Sequence, residues 1–443
     1  MEWKGELVNE QRTVKVALLG AGSVGSQVGR LLLEEGEEFS RRAGANLELV
    51  GIAVRNLDSK RDVELPRELL TTDAENLILQ ADFVIELMGG ISPARELITQ
   101  ALESGADVVT ANKALLASHG PELFAIAERV GAQLHYEAAV AGAIPIIRPL
   151  RENLAGDRIE RILGIVNGTT NYILDRMYSK GDTFEESLRI ATELGYAEAD
   201  PTADIEGYDA QQKAAILASI AFHTEVPLEQ VHREGITQVT IEQIEDAKRA
   251  GFVVKLLAIC ERVPGNDGTE AISARVYPAL VPDAHPLASV HGGNNAVFVE
   301  AAAAGPLMFY GAGAGGIQTA SAVLGDLVSA ARRHVLGGPG LGESMDANLT
   351  VLDSGEIRTR YHIALDVTDA PGVLAEVART FAEHHVSVST LEQVRTDDDK
   401  AATIVIVTHL ATDGALQRLV ESLGELDVVT RIAGVLRVEG GAE

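Results

Sequence analysis

Val14–Glu35 reads VKVALLGAGSVGSQVGRLLLEE. The apolar run Val14–Leu19 predicts a buried strand, and SQVGRLLLEE predicts a helix. Between them Gly20-Ala21-Gly22-Ser23-Val24-Gly25 fits G-x-G-x-x-G. Glycines there let backbone N–H groups approach a pyrophosphate, and the positive end of the following helix stabilises its charge. The motif alone is weak evidence, and its bland reading is a turn that packs helix on strand. The preceding strand and following helix give it weight. LELVGIAV (47–54), ADFVIELMGG, DVVTANK and QLHYEAAV then read as further parallel strands. PARELITQALES and PELFAIAER read as helices that each begin with Pro and stop at Gly105 or Gly131. Strands alternating with helices predict a doubly wound α/β domain of the Rossmann type.

The pattern changes near residue 146. RIERILGIVNGTTNYILDRMYS predicts a strand, a turn at Asn167-Gly168 and a helix. AISARVYPALV and NAVFVEAAA alternate as antiparallel strands do, so this part reads as an α+β domain. GAGAGGIQTASAVLGDLVSAARRHV is a glycine-rich turn followed by a long helix, and GGPGLGESM reads as a linker. The remainder reads strand, helix, strand, strand, helix, strand, a compact ferredoxin-like unit.

The chain has 443 residues, enough for two or three domains with a large core. Its 65 acidic and 37 basic residues give a net charge of −28. Such a surface repels nucleic acid and anionic lipid, so neither is expected as a partner. No apolar run reaches the roughly 20 residues that span a bilayer, and the start lacks a signal peptide's apolar region. With one cysteine, Cys260, neither an internal disulfide nor a thiolate metal cluster can form. A cytoplasmic location is expected. The eleven histidines show no zinc spacing. Asp397-Asp398-Asp399 reads as a solvated hairpin turn.

Chemistry concentrates in Gly195–Lys213, GYAEADPTADIEGYDAQQK. Glu198, Asp200, Asp204, Glu206 and Asp209 precede Lys213, and the apolar run AAILASIAF follows. Charges crowded against a buried helix are costly unless paired or used. Asp209 and Lys213 lie four apart and share one helical face. A lysine so paired can act as an acid or base; the alternative is a structural ion-pair network. Lys113, at the end of DVVTANK, faces the ligand crevice if the sheet is parallel. It can orient a substrate, bind a phosphate or relay a proton, or be an ordinary surface lysine. The second strand ends at Arg55, with Lys60 and Arg61 behind it. An arginine there suits the 2′-phosphate of NADP, where an acid would suit NAD. Glu137, in EAAVAGAIP, can order its loop or join backbone carbonyls around a hard cation.

Taken together, GAGSVG, TANK, EAAVAGAIP, NGTTNYIL, GYAEADPTADIEGYDAQQK and GAGAGGIQTASAV resemble homoserine dehydrogenase over nearly the whole chain. The last unit resembles an ACT domain, with Asp369-Ala370-Pro371-Gly372 at its first strand–helix turn. No aspartate kinase segment precedes the nucleotide motif, so the resemblance is to the monofunctional form. It implies an NAD(P)-binding domain over 1–145, a catalytic and dimerisation domain over 146–340, and an ACT regulatory domain over 356–440. Residues 311–336 are expected to pack back on the nucleotide domain. The implied reaction is reversible NAD(P)-dependent reduction of L-aspartate 4-semialdehyde to L-homoserine, a step towards threonine, methionine and isoleucine.

By the same resemblance Lys213 is the general acid/base, with Lys113 assisting at the reacting oxygen. Glu198 binds the substrate amino group. Asp209 positions substrate or an ordered water, Asp204 supports the network, and Thr169 and Tyr196 line the pocket. Gly20, Gly22, Ser23, Val24, Gly25, Arg55 and Lys113 contact the cofactor, and Gly315 closes over its nicotinamide half. A sodium ion falls at Glu137, Val140, Gly142 and Ile144. An amino-acid effector, L-threonine, is expected at the ACT unit of a homodimer or homotetramer. A phosphorylating semialdehyde dehydrogenase is disfavoured, since it needs a nucleophilic cysteine and Cys260 is far from any strand-end motif.

Overall fold

A computed structural model of the chain describes residues 12–265, 268–337, 342–395 and 401–440. The Asp397–Asp399 turn lies outside them. The chain divides into two compact units: residues up to Asn153 with Ala312–Met345, and Leu154–Gly311 with Asp346 onward.

The first unit runs β1 (Thr13–Leu19), α1 (Ser23–Glu34), α2 (Gly36–Ala43), β2 (Asn46–Ala53), β3 (Leu70–Thr71), α3 (Ala74–Ile78), β4 (Phe83–Glu86), α4 (Ala94–Glu103), β5 (Asp107–Thr110), α5 (Lys113–Val130) and β6 (Leu134–His135). The six strands are parallel in the order β3-β2-β1-β4-β5-β6, the doubly wound dinucleotide-binding arrangement. β4 is buried throughout and β1 nearly so, which is why both read as continuous apolar runs. Val14, Val16, Leu18, Ile52, Phe83 and Ile85 pack with Val28 and Leu32 of α1. A later helix over Gly316–Leu336 returns to this core through Val323 and Leu327.

One helix boundary departs from the sequence reading. α5 begins at Lys113, not at Pro121, which lies inside it. The Asn112 side chain caps the helix by accepting the Leu115 N–H at 3.2 Å. A side-chain cap at Asn112 starts the helix early, and Pro121 only forgoes one internal hydrogen bond. β5 accordingly stops at Thr110, and Lys113 is the first residue of a helix instead of the last of a strand.

The second unit runs β7 (Ile159–Ile165), α6 (Gly168–Lys180), α7 (Phe184–Glu193), α8 (Thr202–Ile205), α9 (Tyr208–Phe222), β8 (His232–Arg233), α10 (Ile241–Arg249), β9 (Phe252–Pro264), β10 (Glu270–Pro282), β11 (Asn294–Ala301) and β12 (Gly305–Ala312). The Gly316–Leu336 helix, α11, follows in the chain. After it come β13 (Thr350–Val351), β14 (Arg358–Thr368), α12 (Val373–Glu383), β15 (Val388–Arg395), β16 (Ala401–Thr408), β17 (Ala411–Thr412), α13 (Asp413–Gly424) and β18 (Val429–Val438). The last part is antiparallel in the order β18-β14-β16-β15, the ferredoxin-like βαββαβ unit.

Its sheet does not stand alone. β18 pairs in parallel with β10 at Ala279↔Arg437 and Leu280↔Val438, so one sheet of twelve strands runs through the whole unit. Leu163, Leu257, Ile259, Tyr277 and Phe298 line one core beside this sheet. Tyr361, Ile363, Leu365, Phe381 and Leu419 form the core of the ferredoxin-like part.

Candidate active site

α9 is apolar on nearly every side, so it is buried along most of its length and carries its few charges inward. Gly207, at φ +80°, turns the chain into it. Asp209 sits in the first turn, where the helix dipole favours a carboxylate. One turn on, Lys213 is buried, with Nζ 2.7 Å from Asp209 Oδ2 and 2.6 Å from the carbonyl of Val166, the residue after β7. The sharing of one helical face expected from their spacing is present as a direct ion pair.

Asn167 is the residue the sequence reading passed over. It was expected in a turn; it is the N-cap of α6, accepting the Thr170 N–H at 2.9 Å. Its Nδ2 donates to Asp204 Oδ1 at 2.7 Å and to Asp209 Oδ2 at 2.9 Å. One amide thus holds two carboxylates together. Burial pushes the Asp204 carboxyl up, with Asp209 adding to it and the Asn167 hydrogen bond opposing. The available signal was the Asn-Gly-Thr-Thr string, a capping residue directly after a strand.

Thr169 is buried and donates to the Tyr196 carbonyl at 2.7 Å. The Tyr196 ring stacks on Tyr172 at 4.6 Å and is half exposed. Glu198 is exposed and makes no hydrogen bond or ion pair with a described residue. Asp200 accepts from the Thr202 N–H and hydroxyl, shaping the turn into α8. The structure therefore gathers Lys213, Asp209, Asp204 and Asn167, links Thr169 to Tyr196, and leaves Glu198 outside these bonds.

In the first unit the glycine loop is sterically fixed. A side chain at Gly25 would put Cβ 2.1 Å from the Gly20 carbonyl oxygen. At Gly20, φ +98°, it would meet the Leu87 carbonyl at 2.7 Å. Gly22 meets nothing within 4 Å; it and Ser23 are exposed at the N-terminus of α1, with Val24 partly buried behind them. Gly315, at φ +126°, is the N-cap of α11, and a Cβ on the next residue, Gly316, would lie 2.8 Å from the Ser23 carbonyl. Two helix N-termini thus adjoin beside an open glycine, which fits an anionic dinucleotide. Arg55 and Lys60 are exposed beyond β2. Arg61 instead donates to the carbonyls of Asn56, Leu57 and Ser59 and is committed to its own loop.

Glu86 is a second residue the sequence reading did not single out. Fully buried at the end of β4, it accepts the N–H groups of Met88 and Gly89 and the Thr110 hydroxyl, tying two strand ends together. Asn112 adds a bond to the Gly90 carbonyl at 2.7 Å, beside the partly buried Lys113.

Glu137 has a defined partner set. Oε1 accepts the N–H groups of Ile146 and Ile147 at 2.6 and 2.8 Å, and Oε2 accepts the Arg148 N–H and Nε at 2.9 and 3.3 Å. Four donors occupy the four lone pairs of the carboxylate, so the carboxylate itself orders the 146–148 backbone. The main-chain oxygens of Glu137, Val140, Gly142 and Ile144 accept no hydrogen bond among the described residues, and these do fit a hard cation. Cys260 is buried in β9 and burial pushes its thiol up to about 12, so it is no nucleophile.

Residues 20–137 match the homoserine dehydrogenase NAD-binding domain, 145–328 the homoserine dehydrogenase domain and 361–428 the ACT domain. The chain is 54% identical to a homoserine dehydrogenase of Mycobacterium tuberculosis, covering 97% of this chain and 99% of that one. It superimposes on a homoserine dehydrogenase from Thiobacillus denitrificans with TM-score 0.89 at 40% identity, over 97% and 99% of the two chains. A hyperthermophilic archaeal homoserine dehydrogenase, solved in complex with NADPH, gives TM-score 0.60 at 28% identity over 74% of this chain and 99% of that one. Three successive family matches, a half-identical full-length relative and a shared fold establish that the chain belongs to the homoserine dehydrogenase family.

Proposed function

We propose that Lys213 is the proton donor and acceptor in the reaction of this family, the NAD(P)-dependent interconversion of L-aspartate 4-semialdehyde and L-homoserine. The observation that carries the proposal is a buried ammonium held by Asp209 and the Val166 carbonyl in a group that also contains Asp204 and Asn167. The nicotinamide cofactor, when bound, is the source of the hydride. The aldehyde oxygen gathers negative charge in the transition state, and a positioned ammonium stabilises that charge and yields the proton. In the reverse direction Lys213 takes the proton from the alcohol. Asp209 orients the lysine, Asp204 and Asn167 orient Asp209, and Lys113 assists at the same oxygen. Glu198, an exposed carboxylate on the segment next to Tyr196, is assigned to the substrate ammonium, with Thr169 and Tyr196 shaping the pocket.

General acid catalysis contributes about 10²–10⁴-fold. Lys213→Ala should therefore lower turnover by at least about 100-fold with the NADPH dissociation constant little changed. Near-normal turnover in that variant would remove the assignment.

The cofactor is assigned as NADP on the exposed Arg55 and Lys60, with NAD the alternative. Gly20, Gly22, Ser23, Val24 and Gly25 cradle the pyrophosphate, and Gly315 closes over the nicotinamide half. A sodium ion is assigned to the main-chain oxygens of Glu137, Val140, Gly142 and Ile144. Steady-state rates with each cofactor, in sodium and in a bulky organic cation, test both points. A lower Michaelis constant for NAD sinks the first, and equal rates in the two cations sink the second. The ACT unit is assigned an amino-acid effector, L-threonine, in a homodimer or homotetramer.

A further inference from the structure

The second unit contains a buried ionic cluster that the reaction chemistry does not use. Arg437, on β18, is the centre of it. Its Nε and Nη2 contact both oxygens of Asp413 at 2.7 and 3.2 Å, and its Nη1 and Nη2 contact both oxygens of Glu234 at 2.9 and 2.8 Å. Its guanidinium lies over the Tyr277 ring at 4.4 Å, and Tyr361 donates to Asp413 at 2.9 Å. Asp413 and Tyr361 belong to the ferredoxin-like part. Glu234 does not: it follows β8, which pairs with β10.

Glu234 is tied in turn to the catalytic segment. Its neighbour Arg233 lies 3.7 Å over the Tyr208 ring, the first residue of α9, and donates to the Glu206 carbonyl. Ile236 N–H donates to the Ile205 carbonyl at 2.8 Å. Packing between the two segments is tight: a Cβ on Gly235 would lie 2.5 Å from the Ile205 carbonyl, and one on Gly207 would lie 3.3 Å from the Glu234 carbonyl. Residues 232–236 thus form a strap over Ile205-Glu206-Gly207. That turn lies between Asp204 and Asp209 and sets the start of the helix that carries Lys213.

We infer that Arg437, acting through Glu234 and the 232–236 strap, is a positioning residue for Asp204, Asp209 and Lys213. The inference rests on the reading of Lys213 as the proton donor. A bidentate pair with its arginine buried fixes direction as well as distance, and shifts of about 1 Å at a catalytic group cost up to about 100-fold in rate. Burial works against the Glu234 carboxylate, but the hydrogen bonds from His232 and Arg437 hold it down at about 2. The pair is therefore ionic across the working pH range. It joins the C-terminal unit to the catalytic turn by contacts within one compact unit.

The test is Glu234→Gln in the full-length chain, chosen because Glu234 is partly exposed and glutamine keeps its shape. Arg437→Lys, which keeps the charge but not the paired contacts, is the second variant should the first fail to fold. Expected are a kcat for semialdehyde reduction lowered about tenfold, an unchanged KM for NADPH, and faster backbone hydrogen exchange over residues 203–213. Lys213→Ala is measured beside it. Unchanged exchange over 203–213 in a folded variant overturns the strap, whatever Lys213→Ala does. Faster exchange with normal kcat, while Lys213→Ala is inactive, overturns the positioning role. Near-normal turnover of Lys213→Ala with faster exchange in Glu234→Gln removes the catalytic assignment and with it the positioning role, while the mechanical link stands.

Discussion

Asp326 and Glu137 show how far single side chains here depend on their surroundings. Asp326 Oδ2 accepts the Glu137 N–H at 2.8 Å, and Arg148 Nε lies 3.5 Å from Oδ1. Burial dominates and pushes the Asp326 carboxyl up from its ordinary 3.8 to about 7, with the nearby Glu137 carboxylate adding to it. A folded-state value above the unfolded one means the folded chain holds the proton more tightly. The contribution to stability is then full below about pH 4 and is lost as pH rises through about 7. Every tenfold gain in proton affinity corresponds to about 1.4 kcal/mol, so the loss is on the order of 4 kcal/mol at most. Asp326→Asn cannot ionise. Urea melts at pH 4 and pH 8 should show a smaller decline in stability for the variant than for the wild type. Equal declines would mean that Asp326 is charged throughout.

Helix starts and strand edges carry the next level. Asn112 and Asn167 each cap a helix and each reach further: Asn112 to the Gly90 carbonyl, Asn167 to the Asp204 and Asp209 carboxylates. Caps of this kind contribute about 1 kcal/mol as local structure. Their placement after a strand also fixes where Lys113 and the α6 segment begin. β10 is the element most exposed to change. It pairs with β9 along its length, and its other edge is covered in turn by β8, β13 and β18. Two of those three covering strands come after residue 345. Glu439 meets the Tyr277 hydroxyl at 2.6 Å and Arg275 at 3.4 Å, both buried. Truncation at 345 should uncover those groups and a strand edge, lowering the melting temperature by roughly 2–4 °C for each kcal/mol lost. An unchanged melting temperature would show that the β10–β18 seam adds no stability.

At the scale of the whole molecule, the sheet continuity changes how regulation is pictured. A glycine-rich linker suggests a tethered regulatory domain that can be removed without consequence. The C-terminal unit is instead an extension of the sheet that includes β10, and Arg437 ties it to the strap beside the Ile205–Gly207 turn. L-Threonine should inhibit the full-length enzyme, and the chain ending at 345 should lose that inhibition together with stability. A full-length enzyme indifferent to threonine removes the effector assignment. No described helix is long and apolar enough to cross a membrane.

The sequence by itself determined the parts whose physics is local. A glycine loop between an apolar strand and a helix can be read without neighbours, because its backbone geometry excludes side chains. The βαββαβ order and the Asp209–Lys213 spacing are likewise written in periodicity. Tertiary structure decided what depends on contacts between distant segments. Asn167 becomes a bridge only when β7 lies beside α9, and the Glu137 carboxylate is filled only once residues 146–148 fold over it. Glu86 reads as one more strand residue until its partners from the Met88-Gly89 turn and from β5 arrive. Arg437 is one more residue of the last predicted strand until β18 lies along β10. Periodicity reports which face of an element is buried, but not which polar group will be waiting there.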